Sequence, residues 1–330
     1  MVSFHKLPSL LLLGFLALTE GKKKDWKFPK FVIVNFDVKY VGSNRVEFHA
    51  GRKAGEPSIL TKLEFSGRRT LFRRFPIYEA TVVQKDDVNA KLAVGVVPTA
   101  VYSKKALIYM HGFNVFPSYV FTKCAEYEES SGRLVIPLIW KSENSGVLGY
   151  CADRKVNSEG AAEAFRPLLD LTKGIRKSLL CHSMGNYVLR LAARASAPDE
   201  EPFEDIFMVA ADVHRNIFDQ ESNMHTDDPL KNDGLEILSM AKRQVHVLYS
   251  PRDIAMWVRP VQPCTPGQVG LGFKGYREGL LHEDIRDSDK LAPAFSCQHF
   301  SHLEDWKNHG YQFAQPAIDY YEGVMNSTWF

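Results

Sequence analysis

The sequence predicts an α/β fold with a mostly parallel central sheet, helices on both of its faces, and antiparallel strands at its N-terminal edge. Three observations lead there. Short, nearly unbroken apolar runs recur from about residue 105 onward, and segments with helical spacing lie between them. Before residue 100, short runs rich in β-branched and aromatic residues are separated by turn residues instead.

The apolar runs are Ala106–Met110, Leu134–Ile139, Ser178–Cys181, Ile206–Ala210 and Val245–Tyr249. A strand with one wet face alternates; a strand covered by helices on both faces stays apolar throughout, as in parallel sheets. Between the runs, Ala161, Phe165, Leu168 and Leu169 share one helical face, with a kink expected at Pro167. Val188, Leu189, Leu191, Ala192 and Ala195 give a mostly apolar helix that should be buried. Strands alternating with helices build a parallel sheet, and sites form at the carboxyl ends of its strands. On the N-terminal side, Phe31–Phe36, Val46–His49 and Ala80–Val83 flank Gly42-Ser43-Asn44 and Gly51, which reads as antiparallel pairing.

Composition narrows the class further. The chain has 330 residues, 45% hydrophobic and 24% charged, which are ordinary globular values. A formal net charge of +2, with Arg and Lys spread along the chain, gives no reason to expect nucleic acid. No apolar run reaches the roughly 20 residues a membrane-spanning helix needs. In residues 1–21, His5 and Lys6 precede the apolar stretch Leu7–Leu18, and Thr19, Glu20 and Gly21 follow. That is the outline of a secretory signal peptide, with a secretory or extracellular location as its consequence. An uncleaved anchor or a buried or frayed terminus are the alternatives, and Lys22, Lys23 and Lys24 oppose translocation. The remainder, 22–330, reads as one domain, with edge strands over 31–100 and the main core over 105–325.

Five cysteines form no C-x-x-C pair. In a secreted chain, Cys124, Cys151, Cys264 and Cys297 could form two disulfides, with the connectivity open. Asn326-Ser327-Thr328 is a formal glycosylation sequon.

The chemistry concentrates in two motifs. Cys181-His182-Ser183-Met184-Gly185 lies between a strand and an apolar helix, the setting of a nucleophile elbow G-x-S-x-G with Cys in the first glycine place. Small residues are needed on either side of the serine because the turn is tight. A helix N-cap is the bland role for such a serine; the strand before it and the helix after it favour Ser183 as nucleophile. The strand Ala106–Met110 runs into His111-Gly112-Phe113-Asn114. A strand ending in His-Gly leads into a loop that donates one backbone N–H to an oxyanion, and the residue after the nucleophile donates another. Those donors would be Phe113 and Met184.

In this motif order an acid and then a histidine follow the serine. Asp253, in Tyr249-Ser250-Pro251-Arg252-Asp253 after the last long strand, is preferred as the acid, with Asp212 as the alternate. The candidate bases are His282, His299, His302 and His309. His299 lies in an apolar run; His302 and His309 follow it in a loop ahead of a helical tail opened by Gly310-Tyr311, and His309 is preferred with His302 as the alternate. The same histidines lack an H-E-x-x-H pattern, so no metal is expected. The segment Asp219–Asp233 is a polar candidate lid.

Taken together, these stretches resemble a family of α/β-hydrolases of undefined substrate. The match is carried by His111-Gly112-Phe113-Asn114-Val115, Pro137-Leu138-Ile139-Trp140-Lys141-Ser142, Tyr150 with Asp153, and His182-Ser183-Met184-Gly185-Asn186. It continues through Ala211-Asp212-Val213, Tyr249–Asp253, and His309-Gly310-Tyr311 before Pro316-Ala317, over roughly residues 100–325. Cys181 stands where the family pattern has Ala or Gly, and Lys141 where it has Pro. The resemblance implies an α/β-hydrolase fold and a serine nucleophile, with the acid at Asp253 and the histidine at His309. The expectation is therefore a serine hydrolase acting on a small-molecule acyl ester without a cofactor. Lipase, thioesterase, peptidase and acyltransferase activities use the same groups. A non-catalytic binding protein on the same fold is the rival from another class.

Overall fold

The continuous apolar runs are parallel strands buried on both faces. The computed structural model describes the backbone of short strands between residues 32 and 82, and residues 106–327 except 116, 141, 143–145, 155–157, 164, 166–168, 170, 171, 173–175, 196–201, 220–232, 263, 266, 282, 287 and 298–308. The expected signal peptide, the kink at Pro167 and most of the candidate lid lie outside the described residues.

Among the described residues the central sheet has eight strands. Six are β7 (Ala106–Met110), β8 (Val135–Ile139), β9 (Lys177–His182), β10 (Phe203–Val209), β11 (Ala241–Tyr249) and β12 (Phe295–Ser296). They run parallel in the order β12-β11-β10-β9-β7-β8. Beyond β8, β1 (Val32–Val34) continues the parallel pairing, and β4 (Ser58–Leu60) closes that edge antiparallel to β1. The other N-terminal strands, β2 (Asp37–Tyr40), β3 (Arg45–His49), β5 (Leu63–Phe65) and β6 (Ile77–Val82), form a separate antiparallel sheet in the order β2-β3-β6-β5.

Successive residues of a strand point to opposite faces, and here both faces are dry. In β7, Ile108 and Met110 join one apolar layer while Leu107 and Tyr109 join the other. The first layer is covered by α3 (Ser158–Glu163), α4 (Gly185–Ala195) and α5 (Asp233–Ser239), through Ala161, Val188, Leu189, Ala192, Ile237 and Leu238. The second is covered by α1 (Pro117–Ser131) and α9 (Gln315–Asn326), through Val120, Cys124, Tyr127, Ala317, Tyr321 and Met325. Each fully buried aliphatic side chain contributes roughly 1.5–3 kcal/mol, so the two layers fix the register of every strand between them. The apolar helix expected around Val188 is α4, with Leu191 half-buried and Ala195 exposed at its margin.

One disulfide joins Cys151, at the end of α2 (Gly146–Ala152), to Cys264, with Cα atoms 5.6 Å apart. The expected second bridge is absent. Cys124 and Cys297 are free thiols buried in the layer under α9, and Cys181 is a third, buried at the end of β9.

The strand order places the site. From β7 the chain turns to β8 on one side and then crosses to β9 on the other. That reversal opens a crevice at the carboxyl ends of β7 and β9. Met110 is paired with Cys181 in register, so His111-Gly112 and His182-Ser183 leave the sheet side by side.

Candidate active site

Ser183 sits at the first turn after β9 with φ 52°, a left-handed conformation that a residue with a Cβ rarely adopts. The bend is fastened on several sides. The Ser183 N–H donates to Val209 of the neighbouring strand at 3.0 Å. Its carbonyl accepts from the backbone N–H groups of Asn186 at 3.0 Å and Asp212 at 3.1 Å. The buried side-chain amide of Asn186 reaches the carbonyls of Cys181, Ser183 and Val209 at 3.0, 3.1 and 3.2 Å. Gly185 lets the helix approach β7, since a Cβ there would lie 2.7 Å from the Met110 carbonyl oxygen. Cys181 is buried, and burial pushes its thiol well above the ordinary pKa; a protonated thiol inside the apolar layer is a poor nucleophile.

The neighbouring loop is shaped by His111. The Trp140 N–H donates to Nε2 of His111 at 3.1 Å, which leaves the proton on Nδ1 to be donated to the Gly112 carbonyl at 2.8 Å. The Trp140 indole N–H donates to the His111 carbonyl at 2.8 Å, and the two rings stack. Burial lowers the His111 pKa to about 4, so the ring is neutral near pH 7. Asn114 turns the loop with φ 55°. Among the described residues, neither the Phe113 nor the Met184 backbone N–H is engaged by an acceptor. Met184 directly precedes α4, whose N-terminal end favours negative charge.

Three side chains from distant parts of the chain meet here. Nε2 of His309 lies 2.9 Å from Oγ of Ser183. Nδ1 of His309 lies 2.8 Å and 3.0 Å from the two carboxylate oxygens of Asp253. Asp253 is fully buried and caps the short helix α6 (Ile254–Trp257), accepting from the Met256 N–H at 3.0 Å. Burial alone would lower the His309 pKa; the charge and hydrogen bond of Asp253, with the charge of Asp212, outweigh it and raise the pKa above the ordinary imidazole value. The carboxylate thus favours an imidazole that takes up a proton.

The alternate acid, Asp212, is placed differently. Its carboxylate accepts from Arg259 at 2.5 Å and from the Tyr150 hydroxyl at 2.7 Å, with Arg154 at 3.1 Å. It makes no hydrogen bond with His309, so it is tied into a buried ion cluster instead. Tyr150 also packs edge-on against Phe113, ring centroids 5.5 Å apart. This joins the Asp212 cluster, whose backbone holds the Ser183 carbonyl, to the loop after β7. The other candidate bases, His282, His299 and His302, lie outside the described residues. Among the described residues no cluster of His, Cys, Asp and Glu is arranged to hold a metal ion.

Sequence reasoning missed Asn186, Trp140 and the Arg154–Asp212–Arg259 cluster as parts of this region. Asn186 and Trp140 stand within the stretches that carry the family resemblance, which was the available signal. Nothing in the sequence announced that the two arginines share one carboxylate.

The family comparison agrees with the architecture. The family model described as "Alpha/beta hydrolase of unknown function (DUF900)" matches residues 94–263, more than half of the chain. The chain belongs to that family. No curated protein matches the chain significantly. Among solved structures, the poly(3-hydroxybutyrate) depolymerase LpqC of Bordetella parapertussis is 12% identical, with 88% of this chain and 92% of that one covered and a TM-score of 0.46. TT1662 from Thermus thermophilus is 15% identical, covering 68% of this chain and 91% of its own, with a TM-score of 0.39. A pyrethroid hydrolase from Sphingobium faniae is 12% identical, covering 68% and 98%, with a TM-score of 0.37.

Proposed function

We propose that this member of the alpha/beta hydrolase family is a serine hydrolase that cleaves carboxylic esters through an acyl-enzyme on Ser183. The observation that carries this reading is the unbroken hydrogen-bond path from Ser183 Oγ through both nitrogens of His309 to Asp253. Nucleophile, base and orienting acid in bonding contact are what acyl transfer to a hydroxyl requires.

Ser183 Oγ attacks the acyl carbon as its proton passes to Nε2 of His309. Asp253 holds the imidazole so that Nε2 is the free acceptor, and it stabilises the imidazolium that forms. The N–H groups of Phe113 and Met184 donate to the oxyanion, each contributing roughly 3–4 kcal/mol of transition-state stabilisation. The C–O bond of the ester breaks as His309 returns the proton to the leaving alcohol. Water then attacks the acyl-Ser183 ester; His309 takes its proton and gives it back to Oγ, releasing the acid.

A fluorophosphonate probe tests the reading. The wild-type chain is expected to be labelled and Ser183→Ala to remain unlabelled. Equal labelling of the two, or none of either, ends it. A series of p-nitrophenyl esters of increasing chain length then reads out the acyl preference.

We also propose that the chain works in the secretory pathway or outside the cell. The Cys151–Cys264 disulfide supports this, since such bonds persist in oxidising compartments. Fractionation of cells expressing the full chain checks it; a purely cytosolic product with both thiols reduced would contradict it.

A further inference from the structure

The histidine immediately before Ser183 reaches the backbone of His309. Nε2 of His182 lies 2.9 Å from the carbonyl oxygen of His309. A carbonyl only accepts, so Nε2 must carry the proton. Nδ1 is then an acceptor, and it is buried without a hydrogen-bond partner. Burial and the neighbouring His309 hold the His182 pKa well below the ordinary value, so the ring is neutral. Its plane tilts 48° from that of His309, with centroids 4.9 Å apart.

A buried imidazole with one unsatisfied nitrogen is less stable than a satisfied one. An apolar side chain would fill the place at the end of β9 without that cost. What the imidazole supplies is a single directed bond to another segment. Among the described residues it is the one hydrogen bond made to the backbone of His309. The anchor is covalently next to Ser183, so the base is tied to the same strand end that carries the nucleophile. The side chain of His309 is fixed at both ring nitrogens, and its backbone is fixed here.

We propose that His182 is a positioning residue, whose hydrogen bond to the His309 carbonyl holds the base in line with Ser183 Oγ. The proposal rests on the serine hydrolase reading for its kinetic consequence, but the tether itself is measurable without turnover. A misplacement of the base by about 1 Å costs on the order of 100-fold in rate, which sets the expected scale.

The experiment compares wild type, His182→Leu and His182→Gln. The glutamine amide offers an N–H at nearly the same reach as Nε2. With p-nitrophenyl acetate, His182→Leu is expected to lower kcat by about 10- to 100-fold with KM nearly unchanged, and to slow fluorophosphonate labelling of Ser183 in proportion. His182→Gln is expected to recover most of the loss. By NMR, the low-field Nδ1 proton shared by His309 and Asp253 should be sharp in wild type and in His182→Gln, and broadened or lost in His182→Leu. A leucine variant with wild-type labelling rate and an unchanged low-field proton overturns the proposal. So does a glutamine variant no better than leucine, even if the leucine variant is unstable. If wild type itself is not labelled, the hydrolase reading fails, and the tether is judged on the NMR signal alone.

Discussion

A Cβ built on Gly112 would lie 2.6 Å from the Cβ of Ser183 and 3.0 Å from the His182 carbonyl oxygen. Two strand ends therefore pass each other with only a hydrogen between them. Gly112→Ala must push the loop and the elbow apart. The expected result is a loss of about 100-fold or more in p-nitrophenyl acetate hydrolysis, with the far-ultraviolet spectrum unchanged. Activity within a few-fold of wild type would mean that the loop has room to yield.

The pH dependence follows from His309. As the proposed base it would act neutral; burial alone would lower its pKa, and Asp253 outweighs that and raises it. Activity should rise with pH through that raised value, so the acidic limb of kcat/KM is expected above the ordinary imidazole pKa of about 6.5. Asp253→Asn removes the charge, so the limb should move to lower pH while the rate falls by about 10⁴-fold. A limb that stays put in the variant would contradict the assignment.

His111 makes the opposite contribution to stability. Folded, its pKa is lowered to about 4; unfolded, it takes up a proton below about 6.5. Stability from this group is full above that unfolded value and is lost as pH falls toward 4, by on the order of 3 kcal/mol. His309, with its raised pKa, stabilises fully below the unfolded value and loses that contribution as pH rises through its folded one. Urea unfolding between pH 7 and 4.5 reads the sum. His111→Gln should flatten the acid slope by about one proton, and an unchanged slope would be the contrary result.

Reduction of the disulfide should reach the site as well as the fold. Cys151 follows Tyr150 and precedes Arg154, while Cys264 follows Arg259, and all three of those side chains converge on Asp212. Cys151→Ser with Cys264→Ser is expected to cost about 2–4 kcal/mol in unfolding free energy. Labelling of Ser183 should also slow, because the two segments that carry Tyr150, Arg154 and Arg259 to Asp212 are then no longer cross-linked. Unchanged labelling in a destabilised variant would confine the bridge to a structural role.

Much of the core was legible because it depends on local pattern. Ala106–Met110 is a strand over its full run since a doubly covered strand has no wet face to interrupt it. The elbow was legible because turn chemistry constrains neighbours in sequence. His309 was reachable only through order and the Gly310-Tyr311 that follow it, since its partners stand 56 and 126 residues away. The role of Asp212 was not legible. As a residue after a strand it looks like Asp253, and what separates them is which long side chains fold back from 47 and 58 positions away.

The Asn186 amide carries one last consequence. It fastens the bend at Ser183 to β10 as well as to β9, so this corner is pinned to two adjacent strands of the sheet. Loops with no contact to this corner could then be lengthened or remodelled while the Ser183 hydroxyl stays where it is.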